Sequence, residues 1–288
     1  MTSALASLLS RYTLATSEDY HKALREVVQH IALLGLWRSR FFDRAAFYGG
    51  TALRIFHGLS RYSEDLDFSL LAPDPDFQLD HFTPGIENEL EAFGFSAAVE
   101  HKENSSTSRI DSAFIKAGTV QSMLNVNAPP SITDRLHREA VLKVKLEVDT
   151  NPPAFAQTDV SSLLLPMPFQ VRLYTPSSLF AGKIHALLCR AWKTRVKGRD
   201  YYDFIWFVGM GIPCNLRHLQ ARMVQTGHLK DHEPLDRIKL RELLDIRFDT
   251  VNLNQAANDA LPFVNDRQSL ELWSADFFKE VAQRIAVE

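Results

Sequence analysis

The chain has 288 residues, 45% of them hydrophobic and 23% charged, with 12 Gly and 13 Pro. This composition excludes disorder, collagen-like repeats and low complexity, and the length suffices for one large domain or two smaller ones. No apolar run reaches the roughly 18 residues of a membrane span.

The N-terminal stretch lacks the charged start and long apolar core of a signal peptide. Cys189 and Cys214 alone make neither a disulfide framework nor a four-ligand zinc site. A cytoplasmic chain is the expectation. The net charge of −3 conceals an asymmetry: residues 1–150 carry 15 Lys/Arg against 20 Asp/Glu, and residues 151–288 carry 17 against 15. Six basic residues and no acidic one fall between Lys183 and Arg199. The first half therefore suits cations, and the basic segment suits a polyanion.

In chain order, the first 40 or so residues read as helical, with Leu24, Val27, Val28, Ile31 and Leu34 at spacings of three and four. Ala45–Tyr48 is a short apolar strand closed by Gly49-Gly50, and Thr51 is expected to open a helix that stops near Gly58. SEDLDFSLL predicts a second strand with Leu66, Phe68 and Leu70 on one face. A proline-rich loop over 72–84 leads into the helix PGIENELEAFGF, ended by Gly94. Residues 99–150 are β-rich. Their clearest element is AVLKVKLEVDT, where Leu142, Val144, Leu146 and Val148 alternate with Lys143, Lys145, Glu147 and Asp149. From Thr175-Pro176 the pattern turns helical to about Trp192, then passes through a basic turn into DYYDFIWFV. The expected organisation is an N-terminal helical segment (1–40), a mixed α/β domain (41–175) and a helical C-terminal domain (176–288).

Asp65 and Asp67 project to one side of their strand, and two hard oxygen ligands so spaced suit Mg²⁺ alongside substrate phosphates. A solvated strand face accounts for the same pair. Gly49, Gly50 and Thr51 lie between a strand and a helix start, where backbone N–H groups and the helix dipole favour an anion. A tight turn capped by Thr51 needs the same residues. Together, the turn and the acidic strand meet the needs of a nucleoside triphosphate. Glu147 or Asp149 can add a third ligand, and three carboxylates can hold two Mg²⁺ ions. Glu147, between Leu146 and Val148, is preferred, although the lysines and acids of that strand can also pair across its face.

Lys183 lies one turn from Leu179 and from Leu187, at the edge of an apolar face, so its amine either enters a site or snorkels to water. Asp200 and Asp203 have the spacing of an acidic helix cap. Arg61 and Arg54 are further phosphate-binding candidates that local acids can equally claim. Cys189, inside an apolar helix, reads as packing, and the histidines show no H-E-x-x-H spacing.

YGGTALR, RYSEDLDFSL, KLEVDTNPP and LFAGKIHALLCRAWKTRVKGRDYYDF, in this order over roughly residues 40–210, resemble the AbiEii/AbiGii nucleotidyltransferase toxins. Through them the chain resembles the polymerase-β-like nucleotidyltransferases. The resemblance implies an α/β (α+β) nucleotidyltransferase fold, a mixed sheet with helices followed by a helical domain. It implies Mg²⁺-dependent transfer of a nucleoside monophosphate from an NTP to a hydroxyl, with RNA, specifically the tRNA 3′ end, as acceptor. A growth-arresting toxin opposed by a separately encoded antitoxin is implied as well.

By the same resemblance, Gly50 and Thr51 match the phosphate turn, and Asp65, Asp67 and Glu147 the metal-binding acids. Lys183 matches a lysine on the nucleotide phosphates, and Asp200 and Asp203 the later acidic motif. Arg190, Lys193, Arg195, Lys197 and Arg199 are the expected RNA contacts. Two alternatives stand beside this reading: a kinase-like phosphotransferase on the same scaffold, and a non-catalytic nucleotide- or RNA-binding protein.

Overall fold

The structure, a computed structural model, describes residues 4–102, 109–118, 141–190, 195–264 and 266–288. It divides into two compact units interleaved along the chain. The first comprises Met1–Phe47, Glu64–Pro152 and Val160–Leu173; the second comprises Tyr48–Ser63, Pro153–Asp159 and Tyr174–Glu288. The long helical stretch expected after residue 176 lies in the second unit, which also takes in the glycine turn and its helix.

In the first unit, helix α1 (Ala4–Leu9) is followed by α2 (Ser17–Arg38). A capping box starts α2: the Thr16 hydroxyl accepts from the Asp19 N–H, and the Asp19 carboxylate accepts from the Thr16 N–H. The expected stripe of Leu24, Val27, Val28, Ile31 and Leu34 is buried. Helix α2 packs against α4 (Thr83–Ala92) so closely that a Cβ on Gly35 would stand 2.5 Å from the Gly85 carbonyl oxygen. Glycine at position 35 is what permits that approach.

The sheet has seven strands: β1 (Ala45–Tyr48), β2 (Leu66–Leu70), β3 (Ala97–His101), β4 (Ile110–Gly118), β5 (Val141–Asp149), β6 (Thr158–Leu163) and β7 (Phe169–Tyr174). They run in the spatial order β3-β4-β5-β2-β1-β7-β6. Strands β1 and β7 pair in parallel, as do β2 and β5, whereas β3–β4 and β4–β5 are antiparallel. This is the mixed sheet that the resemblance implies. The alternation along β5 is realised: Leu142, Val144, Leu146 and Val148 are buried, while Lys145, Glu147 and Asp149 keep partial exposure. Full burial of each such side chain is worth about 1.5–3 kcal/mol, which fixes the register against a one-residue slip. Around Phe41, rings of Phe42, Phe68, Phe77 and Phe82 pack edge-on at 5.0–6.3 Å and build the core beside β2.

In the second unit, α3 (Gly49–His57) starts two residues before the expected Thr51, because Gly49 at φ 85° makes the turn out of Tyr48. Helix α5 (Pro176–Cys189) is capped by the Thr175 hydroxyl, which accepts from the Ser178 N–H. Then come α6 (Gly198–Gly209), α7 (Leu216–Gln225), α8 (Arg237–Thr250), α9 (Leu253–Ala260) and α10 (Ala275–Gln283). Phe180 and Phe207 stack at 4.5 Å, and Phe204, Phe248 and Phe278 join Tyr201 in the core of this unit. Of the aromatics after Asp200, Tyr201, Phe204 and Phe207 are core residues, while Tyr202 and Trp206 keep partial exposure. Among the described residues no helix is long and apolar enough to cross a membrane.

Candidate active site

Half-buried Asp65 and Asp67 flank the fully buried Leu66 at the start of β2. Strands β2 and β5 pair in parallel with Asp67 opposite Glu147, and Glu147 lies in turn opposite Ser112 of β4. Residues directly opposite on neighbouring strands share a face at a strand spacing of about 4.8 Å. Asp67 and Glu147 therefore form one row of carboxylates, and Asp65 continues their face by the two-residue period. Asp149 falls one row further on, opposite Ser69, and its Oδ1 accepts from the Asn151 N–H at 3.0 Å. Glu147, not Asp149, is in line with Asp67. Lys145 Nζ lies 2.5 Å from Glu147 Oε1, the pairing along the polar face that the sequence also allows.

The glycine turn belongs to the second unit, together with a chain of buried charges. A Cβ on Gly50 would stand 2.8 Å from Arg61 Nη2 and 2.9 Å from Ser63 Oγ, so the turn rests directly on the Arg61 guanidinium. Arg61 is only 1% exposed and Asp203 is fully buried. Arg61 donates from Nε and Nη2 to the two Asp203 carboxylate oxygens at 2.6 Å each, and from Nη1 to the Tyr62 carbonyl at 2.9 Å. Lys183 Nζ bridges Asp203 Oδ2 at 2.8 Å and Asp200 Oδ1 at 3.1 Å, and Arg190 Nη1 reaches Asp200 Oδ2 at 3.0 Å.

Burial alone would raise the Asp200 carboxyl, but Lys183, Arg190 and Lys197 around it push it down to about 2. Asp203 is likewise held below the usual carboxylate range, because Arg61 and Lys183 outweigh its desolvation. Both acids are ionised partners inside a cation cluster, although their spacing reads as a helix cap.

Several expected contacts are placed differently from the sequence reading. Arg61, expected at a phosphate, has its donors on Asp203 and Tyr62 instead, a pairing across 142 residues that no local pattern signals. Thr51, expected to offer its hydroxyl from the helix cap, is fully buried, because the early start of α3 moves it inside the first turn.

In the basic segment, Arg199 is buried with its guanidinium 4.1 Å from the Phe263 ring centroid. Burial pushes the half-buried Lys197 amine down. Arg195 stays 66% exposed and pairs with Asp259, and the exposed Arg190 pairs with Asp200. Lys193 lies outside the described residues. Only Arg190 and Arg195 of this set are exposed among the described residues.

The model of the family described as nucleotidyl transferase AbiEii toxin, type IV toxin–antitoxin system, matches residues 31–281. Two solved structures from Helicobacter pylori align over nearly the whole chain. One is a protein whose nucleotidyltransferase assignment is itself provisional, at 16% identity and TM-score 0.45, covering 90% of each chain. The other, JHP933, has 15% identity and TM-score 0.46, covering 91% of this chain and 88% of its own. No curated protein matches. With most of its length under that family model, the chain belongs to the AbiEii family of nucleotidyl transferase toxins of type IV toxin–antitoxin systems.

Proposed function

We propose that this toxin moves a nucleoside monophosphate from an NTP to a hydroxyl of RNA, the 3′ end of tRNA being the acceptor, in a Mg²⁺-dependent reaction that releases pyrophosphate. A cognate antitoxin, the counterpart that a toxin–antitoxin family implies, opposes it. The observation that carries this reading is the row formed by Asp67 and Glu147 on adjacent parallel strands, with Asp65 two residues before Asp67.

The donor set fits the ion: three half-exposed carboxylates offer hard oxygens and no sulfur or imidazole, as Mg²⁺ prefers. Bound there, Mg²⁺ would supply charge neutralisation for the triphosphate and a lowered pKa for the attacking hydroxyl. Asp65, Asp67 and Glu147 would hold the cation, in place of the pairing of Glu147 with Lys145. The N–H groups at the start of α3 donate to a phosphate.

Lys183, with 14% of its side chain exposed, contacts phosphate, while Asp200 and Asp203 act as positioning residues that hold Lys183 and Arg61. Arg61 supports the turn at Gly50 from beneath. Arg190 and Arg195 meet the RNA backbone, whose phosphates supply most sequence-independent affinity.

The test uses purified protein, Mg²⁺, bacterial RNA and each NTP labelled at the α- or γ-phosphate, with an Asp65→Ala/Asp67→Ala double variant alongside. Label passing from the α-phosphate to RNA, and absent with the variant, is the expected result and names the nucleotide. Transfer of γ-label alone means a kinase-like phosphotransferase. NTP binding without transfer, unchanged in the variant, means a non-catalytic binding protein.

A further inference from the structure

We propose that His185, Cys189 and His228, in the second unit, form a site for a thiophilic divalent cation of the Zn²⁺ class. His185 and Cys189 stand four residues apart in the last turns of α5, so both project from one side of that helix. His228 lies in the turn that follows α7. One ligating atom from each of the three falls within 4.8 Å of the others.

The two imidazoles converge on a single oxygen. Thr226 Oγ1 is 3.0 Å from His185 Nε2 and 3.0 Å from His228 Nδ1, and it donates its own proton to the Arg222 carbonyl at 2.9 Å. The rings stand nearly perpendicular, at 86°.

Two nitrogens and a thiolate select Zn²⁺ over Mg²⁺, the opposite of the all-oxygen face on β2 and β5. Donors on a tetrahedral Zn²⁺ stand about 3.3–3.6 Å apart, from bond lengths of about 2.0–2.3 Å. Closing the present triangle therefore takes movements of about 1 Å, within reach of the exposed His228 side chain. Burial holds the His185 imidazole neutral, down at about 3, so its lone pair costs no proton to use. The Cys189 thiol, pushed up to about 11 by burial, releases its proton to solvent as the sulfur–metal bond forms, and neighbouring Arg222 and Arg247 favour the resulting thiolate. A fourth position stays open for water. An ion there would tie the C-terminal end of α5, the helix that carries Lys183, to the turn after α7.

The site is tested on the full chain, stripped with chelator and titrated with Co²⁺ as a spectroscopic substitute. The expected result is one Co²⁺ per chain with a thiolate-to-cobalt charge-transfer band, displaced by Zn²⁺ and untouched by excess Mg²⁺. The band should vanish in Cys189→Ser and persist in Cys214→Ser, since Cys214 is the other cysteine and lies elsewhere. Thr226→Val should weaken binding by about tenfold, as loss of a group orienting the ligands does. His228→Ala should weaken it by more, and because His228 is exposed this variant keeps the fold even if Cys189→Ser does not. A titration without the thiolate band, a band that survives Cys189→Ser, or unchanged affinity in His228→Ala would overturn the proposal.

Discussion

The acidic residues of the two units differ in what surrounds them. Asp65, Asp67 and Glu147 stand half-exposed at the polar face of a sheet whose other face is core. Asp200 and Asp203 are buried, and each accepts from two cationic side chains: Lys183 and Arg190 on Asp200, Arg61 and Lys183 on Asp203. Taking a carboxylate out of water costs several kcal/mol unless cations and hydrogen bonds compensate it, so the buried pair is committed to its neighbours. The sheet carboxylates keep access to solvent, and access is what an exchangeable cation needs. Identical chemistry in the side chain thus serves architecture in one unit and is suited to catalysis in the other.

Breaking the buried set should show first and most strongly in stability. Asp203→Ala leaves the Arg61 guanidinium buried without its bidentate partner, and urea unfolding should register a loss of about 3–5 kcal/mol. The same cluster sets an acid limit. Both carboxyls sit below their ordinary 3.8 in the folded state, so the unfolded chain takes up protons first as the pH falls. Their contribution is complete above about pH 5 and drains away as the pH falls through 3.8 and, for Asp200, on through about 2. An unfolding midpoint in Asp200→Asn that declines as steeply over that window as in the native chain would argue against the assignment.

For the exposed set the effect moves from stability to activity. Asp67→Asn should lower transfer by about 10²-fold or more, the usual cost of removing one charge-handling group from an active site, and leave the urea midpoint within about 0.5 kcal/mol. Equal losses in fold and activity would erase the contrast between the two units. Gly50→Ala crowds Arg61 Nη2 and Ser63 Oγ and should cost about 1–3 kcal/mol by unfolding. At the bottom of the scale, Arg195→Ala removes the exposed guanidinium paired with Asp259 and should cost about 1 kcal/mol by unfolding. Its effect should appear as weaker RNA binding with a shallower salt dependence, since one phosphate contact is lost.

The sequence made the sheet-borne acids legible because their signals are local. The period-two alternation of β5 placed Glu147 on a polar face, and the D-x-D spacing placed Asp65 with Asp67. That Asp67 and Glu147 share a row was not readable, since strand order is decided by the whole sheet. Arg61 and Asp203, 142 residues apart, cannot be matched from spacing either, and the patterns around them point to a phosphate contact for Arg61 and a helix cap for Asp203. Gly49 shifted the start of α3 because a positive φ at the first glycine turns the chain before Thr51 is reached. His185 and Cys189 carry a helical spacing that is visible in hindsight, whereas His228 joins them only through the packing of α7 on α5.

The row of Asp67 and Glu147, proposed to hold the reacting metal, is tested most directly by comparing Glu147→Gln with Asp149→Asn. Both variants would be assayed for Mg²⁺-dependent transfer of α-labelled nucleotide to RNA, with urea midpoints recorded alongside. Glu147→Gln should fall by about 10²-fold or more at an unchanged midpoint, and Asp149→Asn should stay within a few-fold of the native chain. The reverse pattern, with Asp149 indispensable and Glu147 dispensable, would contradict the claim and move the metal one row along the sheet.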